Sequence, residues 1–247
     1  MKTITSVHNE EVKSVAKLAS TKERSIQGKY IAEGLRTCQT LLECDAQLVK
    51  LYITDEHEGV ALSLTSEDLI TIVDSSVMAK MSQSTSPSGF LGVFKLPATP
   101  DVKKLTAGMV LARIADPGNM GTLIRSCAAF GAESVVVVEG CDPWSPKVVQ
   151  ATVGTIASVQ IFQWSWQELL ANSQNIKLAA LVVTGGKSPQ EIDLAKSLLV
   201  VGSETQGIPH EWLKDCEQKI TIAMPGKTES LNAGVAGSIA LYAATLK

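Results

Sequence analysis

Aromatic side chains are scarce in this sequence, at 4% of 247 residues, and charged ones reach only 19%. With 45% hydrophobic residues, the chain must build its core mainly from aliphatic side chains, and it has enough of them to exclude global disorder. Its length suits one large domain or two modest ones, and two are expected. No apolar run approaches the roughly 18 residues that span a bilayer. The opening Met1-Lys2-Thr3-Ile4-Thr5 leads into charged sequence instead of an apolar stretch. A cytoplasmic protein without a membrane partner is therefore expected. The five cysteines, Cys38, Cys44, Cys127, Cys141 and Cys216, are odd in number and contain no Cys-x-x-Cys pair. That argues against a disulfide framework and a zinc site alike. His8, His57 and His210 lack ligand spacing, so no metal is expected.

The formal net charge of −3 speaks weakly against a protein that coats phosphates along its whole length. Its distribution is uneven. Before residue 37, Lys2, Lys13, Lys17, Lys22, Arg24, Lys29 and Arg36 face only Glu10, Glu11, Glu23 and Glu33. This stretch is either a solvated helix face or an RNA contact, and charge alone does not choose between them.

Helical spacing marks a short helix over Asn9 to Leu18, a second over Glu33 to Glu43 and a third over Ser75 to Met81. Strand-like runs cover Leu48 to Ile53, Leu69 to Val73 and Phe90 to Phe94. Together these predict a small α/β domain over residues 1–95. The proline-rich Leu96-Pro97-Ala98-Thr99-Pro100-Asp101 then opens a linker over 96–104.

From 105 to 247 apolar runs alternate with helices. Strands are predicted near Met109 to Ile114, Ser134 to Val138, Ser158 to Phe162, Lys177 to Val183, Leu198 to Val201 and Lys219 to Ile222. Helices are predicted over Gly121 to Phe130, Trp166 to Ala171 and Asn232 to Leu246. Ser134-Val135-Val136-Val137-Val138 is continuously apolar, as strands buried on both faces of a parallel sheet are. The fold class is α/β with a parallel sheet.

Three stretches at strand ends carry polar groups where open α/β sheets bind ligands. In Asp116-Pro117-Gly118-Asn119-Met120-Gly121-Thr122-Leu123-Ile124-Arg125, Asn119 is a candidate helix cap and Arg125 lies on the early turns. In Gly202-Ser203-Glu204-Thr205-Gln206-Gly207, two glycines let a backbone approach a ligand and bracket a carboxylate, more than a plain strand-to-helix turn requires. In Met224-Pro225-Gly226 and Ser230-Leu231-Asn232, polar groups bracket the start of an apolar helix, where capping is the commoner role. A phosphate loop is rejected at Leu181-Val182-Val183-Thr184-Gly185-Gly186-Lys187-Ser188, because Leu181 stands where that loop needs glycine and Pro189 follows. The glycine fingerprint of a nicotinamide site is missing.

In their order and spacing, Asp116-Pro117-x-Asn119-x-Gly121-x-x-x-Arg125, Gly202-x-Glu204-x-x-Gly207, Met224-Pro225 and Ser230-Leu231-Asn232 resemble the SpoU/TrmH family of the SPOUT superfamily. Pro146-Lys147-Val148-Val149 and Gly154 match the intervening segment. The resemblance covers about residues 105–247. Residues 1–95 are similar, more diffusely, to the ribosomal-protein-type RNA-binding domain often fused to such enzymes, through Asn9, Lys13, Leu18, Arg24, Tyr30-Ile31-Ala32-Glu33-Gly34 and Ser88-Gly89-Phe90.

The resemblance implies an S-adenosylmethionine-dependent methyltransferase acting on the ribose 2′-hydroxyl of ribosomal or transfer RNA. It also implies a homodimer and a parallel sheet whose C-terminal part is tied in a trefoil knot. Backbone groups around Thr184, Gly185, Gly202, Ile222, Met224 and Leu231 are expected to hold the cofactor. Arg125 is implied as the catalytic residue. Its guanidinium stays protonated, so its expected role is to bind substrate phosphate and stabilise the developing alkoxide. Asn119 and Glu204 would orient Arg125 and the ribose, with Ser230 and Asn232 shaping the same corner. Where the family often reads Ser-Leu-Asn-Val-Ser-Val, this chain has Ser230-Leu231-Asn232-Ala233-Gly234-Val235. Gly234 and Gly237 each cost a helix ~1 kcal/mol relative to Ala, so close helix packing is expected there. The alternative is a non-catalytic RNA-binding protein that keeps the fold; intact Arg125, Glu204, Ser230 and Asn232 weigh against it.

Overall fold

The computed structural model describes residues 1–191, 193 and 196–246; Lys247, the last residue of the expected second domain, lies outside them. The chain divides into two compact units, Met1–Ala98 with Trp144–Ala157, and Thr99–Pro143 with Ser158–Lys247.

The first unit opens with a strand that composition concealed, β1 (Lys2–Ile4). It is followed by α1 (Glu10–Lys17), α2 (Thr21–Gln27), β2 (Lys29–Glu33), α3 (Leu35–Glu43), β3 (Leu48–Ile53), α4 (Glu58–Leu64), β4 (Ile70–Val73), α5 (Ser75–Met81) and β5 (Phe90–Lys95). The sheet order is β1-β4-β3-β5-β2. β4 runs parallel to both β1 and β3, while β5 runs antiparallel to β3 and β2. Local signals set the helices. Asn9 Oδ1 accepts the Glu11 amide at the start of α1, and Asp74 Oδ1 accepts the Val77 amide at the start of α5. Val12, Val15, Leu18, Val77 and Met81 then face the core with Ile31, Tyr52 and Leu91 of the sheet.

Arg24 departs from its sequence reading as part of a basic surface. It is 2% exposed. Its guanidinium donates to the carbonyls of Leu18 and Ala19, each at 2.8 Å, and to Thr21 Oγ1 at 2.9 Å. It therefore satisfies the end of α1 internally and presents no charge for RNA. Lys2 and Lys13 are paired as well, with Glu11 and Glu10.

The second unit begins with β6 (Gly108–Ala112), α6 (Pro117–Phe130) and β7 (Ser134–Val138). The chain then contributes α7 (Pro146–Thr152) to the first unit. There the Trp144 ring lies 5.0 Å from that of Tyr30. Gly154 sits at φ +86, and a Cβ on it would come within 2.5 Å of the Thr37 carbonyl oxygen. The second unit resumes with β8 (Gln160–Trp164), α8 (Trp166–Asn172), β9 (Lys177–Leu181), β10 (Ser197–Gly202), α9 (His210–Leu213), β11 (Gln218–Ile220) and α10 (Ala233–Thr245).

These six strands form one sheet, β11-β9-β10-β6-β7-β8, with every pairing parallel. β7 is buried along its whole length, as its unbroken apolar run requires. The strand predicted to reach Ile114 stops at Ala112 because Arg113 turns to φ 56, stacks over the Trp212 ring at 4.7 Å and pairs with Glu139 at 2.8 Å. The parallel arrangement leaves the carboxyl ends of β6, β9, β10 and β11 on one edge, and the three sequence stretches follow those ends.

Candidate active site

The first stretch is organised by Asp116. Its Oδ1 accepts the Asn119 amide at 2.7 Å, and Pro117 occupies the first turn of α6. This corrects the reading of Asn119 as the cap and of Gly121 as the helix start. An Asp directly before a Pro was the available signal, since Pro has no amide to lose at the first helical position. Capping by Asp116 frees the Asn119 carboxamide, whose Nδ2 donates to Glu204 Oε1 at 2.7 Å.

Glu204 lies in the turn after β10. That turn is closed by reciprocal backbone hydrogen bonds between Ser203 and Gly207, at 3.1 and 3.0 Å. A Cβ on Gly202 would come within 2.2 Å of the Gly207 carbonyl carbon and 2.3 Å of the Ile208 nitrogen. Gly207 itself adopts φ 65. Both glycines are thus needed, one for close approach and one for a left-handed turn.

Asn232 caps α10, its Oδ1 accepting the Val235 amide at 3.1 Å. The capping role weighed for it is realised, yet it also joins the site. A Cβ on Gly234 would lie 3.0 Å from Asn119 Oδ1 and 3.2 Å from Asn232 Oδ1, so the two side chains converge over this glycine. Gly237 lets α10 settle on α6, for a Cβ there would meet Leu123 Cδ2 at 2.4 Å and Val201 Cγ2 at 3.1 Å. The hydroxyls of Ser126 and Ser238 close the same seam at 2.7 Å.

The structure therefore brings Asn119, Glu204 and Asn232 together. Arg125, further along α6, is exposed and makes no hydrogen bond or ion pair with the described residues; Ser230 is likewise exposed and unbonded. Thr184 and Gly185 follow β9, with Gly185 at φ 79 and open space around it. Gly202 ends β10, Ile222 and Met224 follow β11, and Leu231 directly precedes the cap of α10.

Sequence reasoning missed two contributors. Thr221 Oγ1 accepts the Gly186 amide at 2.9 Å and donates to the Val182 carbonyl at 3.1 Å, tying the turn after β9 to the chain leaving β11. A lone polar residue inside Ile220-Thr221-Ile222 was its only trace. Cys141 packs its sulfur 3.6 Å from Met120 Sδ. Burial, then the carboxylates of Asp142, Asp116 and Glu204, push its thiol up to about 11. It is therefore protonated at neutral pH and is no nucleophile there.

Known proteins can now be set against this geometry. The model of the SpoU rRNA methylase family matches residues 107–242, more than half of the chain. The chain belongs to the SpoU rRNA methylase family. An MRM3-like substrate binding domain matches residues 9–92 ahead of the SpoU methylase. Relatives extend along both parts. An uncharacterized tRNA/rRNA methyltransferase of Synechocystis is 30% identical, covering 98% of this chain and 92% of its own. A 23S rRNA guanosine 2′-O-methyltransferase of Bacillus subtilis is 26% identical over 98% of each chain. Among solved SpoU-like structures, the AdoMet-bound rRNA methyltransferase of Sinorhizobium meliloti superposes with a TM-score of 0.85 at 26% identity, over 98% of this chain and 97% of its own.

Proposed function

We propose that this chain transfers a methyl group from S-adenosylmethionine to a ribose 2′-hydroxyl of RNA. The observation that carries the reading is the Asn119–Glu204 contact, with Asn119 meeting Asn232 over Gly234, at the carboxyl edge of a parallel sheet in a SpoU family chain. A carboxylate held by a carboxamide is fixed in place, as orientation of a reacting hydroxyl requires.

The cofactor supplies an electrophilic methyl group on a sulfonium when bound. The residues present fit it. The turn after β9 lies so close to the end of β11 that a Cβ on Gly186 would strike the Ile220 backbone, and the turn after β10 is folded so tightly that a Cβ on Gly202 would strike Gly207, while Gly185 stays open. Backbone groups of Thr184, Gly185, Gly202, Ile222, Met224 and Leu231 would hold it. Arg125, without a partner among the described residues, grips the phosphate beside the reactive ribose and stabilises the alkoxide as the hydroxyl gives its proton to solvent. Asn119 and Glu204 orient that ribose, with Ser230 and Asn232 beside them.

The first unit captures RNA, as its match to a substrate binding domain suggests. The chain forms a homodimer through α10, where Val235, Ile239, Tyr242 and Leu246 make an apolar stripe 39–55% exposed, extended by Phe130 with its ring 5.5 Å from Tyr242. The segment after β11, bonded to Val182 and Lys187 of the β9 turn, threads that turn as the trefoil knot of the family. A cytoplasmic location agrees with five free thiols. Among the described residues no helix is long and apolar enough to cross a membrane.

Ribosomal RNA incubated with the chain and methyl-labelled S-adenosylmethionine should take up label. RNA binding without any label transfer would instead identify a non-catalytic RNA-binding protein.

A further inference from the structure

The first unit contains a cavity of about 450 Å³ that the methyl-transfer chemistry does not use. Its size lies within the range of about 300–1,000 Å³ typical of small-ligand sites. The lining includes Glu33 and Gly34 from the β2–α3 junction, Ser86 and Ser88 from the loop before β5, and Lys147 and Gln150 from α7.

The two charges in this lining are not paired with each other. Glu33 is the one carboxylate, and both its oxygens are engaged: one accepts the Gln83 amide at 2.7 Å and the other bonds the Ser82 hydroxyl, which pins the serine-rich loop. Lys147 is the one cation of the lining, and it makes no ion pair or hydrogen bond with the described residues. The hydroxyls of Ser86 and Ser88 and the carboxamide of Gln150 are also without partners among those residues. A held loop, an unpaired ammonium and several free donors around one concavity form the chemistry that takes a phosphate oxygen.

We infer that this cavity is a subsite for a backbone phosphate of the RNA substrate, with Lys147 as its charged donor. The inference rests on the reading of the chain as an RNA methyltransferase and adds to it. The substrate-binding match ends at residue 92, whereas Lys147 and Gln150 lie inside the methylase match of 107–242. The segment Trp144–Ala157 belongs spatially to the first unit. The RNA-capturing surface is therefore composite, and sequence from the catalytic half completes it.

The test uses the full chain, end-labelled fragments of ribosomal RNA as the probe, and affinities measured across a series of salt concentrations. Lys147→Glu should weaken binding at least about tenfold, and Lys147→Gln should flatten the log–log salt slope by about 0.7–0.9, the value of one lost phosphate contact. Lys147→Arg should restore both, and S-adenosylmethionine affinity should stay unchanged. Lys214→Glu, an equal charge change on an exposed residue of the second unit, should have a much smaller effect. Lys147 is exposed, so these variants should unfold at the wild-type temperature. Wild-type affinity and slope in Lys147→Glu, or an equal loss in Lys214→Glu, overturns the subsite and leaves the methyltransferase reading standing. So does a variant that loses inorganic phosphate binding and keeps its RNA affinity, because the site would then take a free anion. Wild-type protein that binds no RNA fails at the earlier reading instead.

Discussion

Three glycines near the site differ in what an added methyl group would meet, and replacing each with alanine separates close approach from backbone conformation. At Gly202 the obstacles are backbone atoms, at 2.2 and 2.3 Å, in a turn closed by two hydrogen bonds. No side chain can rotate away, so the turn must open. Overpacking of this kind costs about 1–3 kcal/mol, offset by about 0.5–1 kcal/mol from the stiffer unfolded chain. A net loss of about 1–2 kcal/mol corresponds to a fall of about 2–8 °C in Tm for a domain of this size. The opened turn displaces the Gly202 backbone proposed to hold the cofactor, so S-adenosylmethionine affinity should fall about five- to thirtyfold. Gly207→Ala meets no atom within 4 Å but keeps φ 65. It should lose about 1 kcal/mol to left-handed strain while holding the cofactor nearly as well as wild type. Gly226→Ala has open space and no left-handed φ, and should stay within about 0.5 kcal/mol of wild type. Thermal unfolding followed by circular dichroism, with calorimetric titration of S-adenosylmethionine, reads both effects. Gly202→Ala behaving like Gly226→Ala in both assays would refute the reasoning.

Arg113→Ala keeps much of the strain of φ 56 while losing the stacking on Trp212 and the pair with Glu139, and should cost about 1–2 kcal/mol in urea unfolding. Arg113→Gly relieves that strain and should lie closer to wild type; equal stability of the two would contradict this. Cys141 reacts only as thiolate, whose fraction rises with pH through about 11, so iodoacetamide should modify it far more slowly at pH 8 than a free cysteine. Labelling at the free-thiol rate would show that its burial and the neighbouring carboxylates do not act as described. Tyr242→Asp with Val235→Asp should turn the proposed dimer into a monomer by light scattering, and a dimer mass unchanged by these substitutions would remove α10 from its interface.

Much of the fold was legible because its signals are local. β3 spans Leu48–Ile53, β7 spans Ser134–Val138 and α5 spans Ser75–Met81, the limits their apolar patterns predicted. β1 and β2 escaped notice. Three residues beginning with a lysine carry no period, and β1 exists because β4 offers it a parallel edge. Tyr30-Ile31-Ala32 reads as the approach to a helix until β5 pairs with it. The return of Trp144–Ala157 to the first unit depends on Tyr30 and Thr37, more than 100 residues earlier, and no window of sequence contains both partners. The site shows the same division. Motif spacing located Asn119, Glu204 and Asn232, but the meeting of Asn119 and Asn232 over Gly234 needed α10 laid on α6, which Gly237 permits. Arg24 was misread because composition counts a charge without showing the carbonyls that surround it.

Exposed Arg125, without a partner among the described residues, is proposed to act on the RNA ribose while the turns after β9, β10 and β11 hold the cofactor. The most direct measurement compares wild type with Arg125→Ala for methyl transfer to ribosomal RNA, followed by digestion of the product to nucleosides and, in parallel, calorimetry with S-adenosylmethionine. The expected result is a methyl group on the 2′-oxygen, transfer reduced at least about a hundredfold in Arg125→Ala, the scale of one lost transition-state donor, and cofactor affinity unchanged. A base-methylated nucleoside, or an Arg125→Ala enzyme with undiminished turnover, would contradict it.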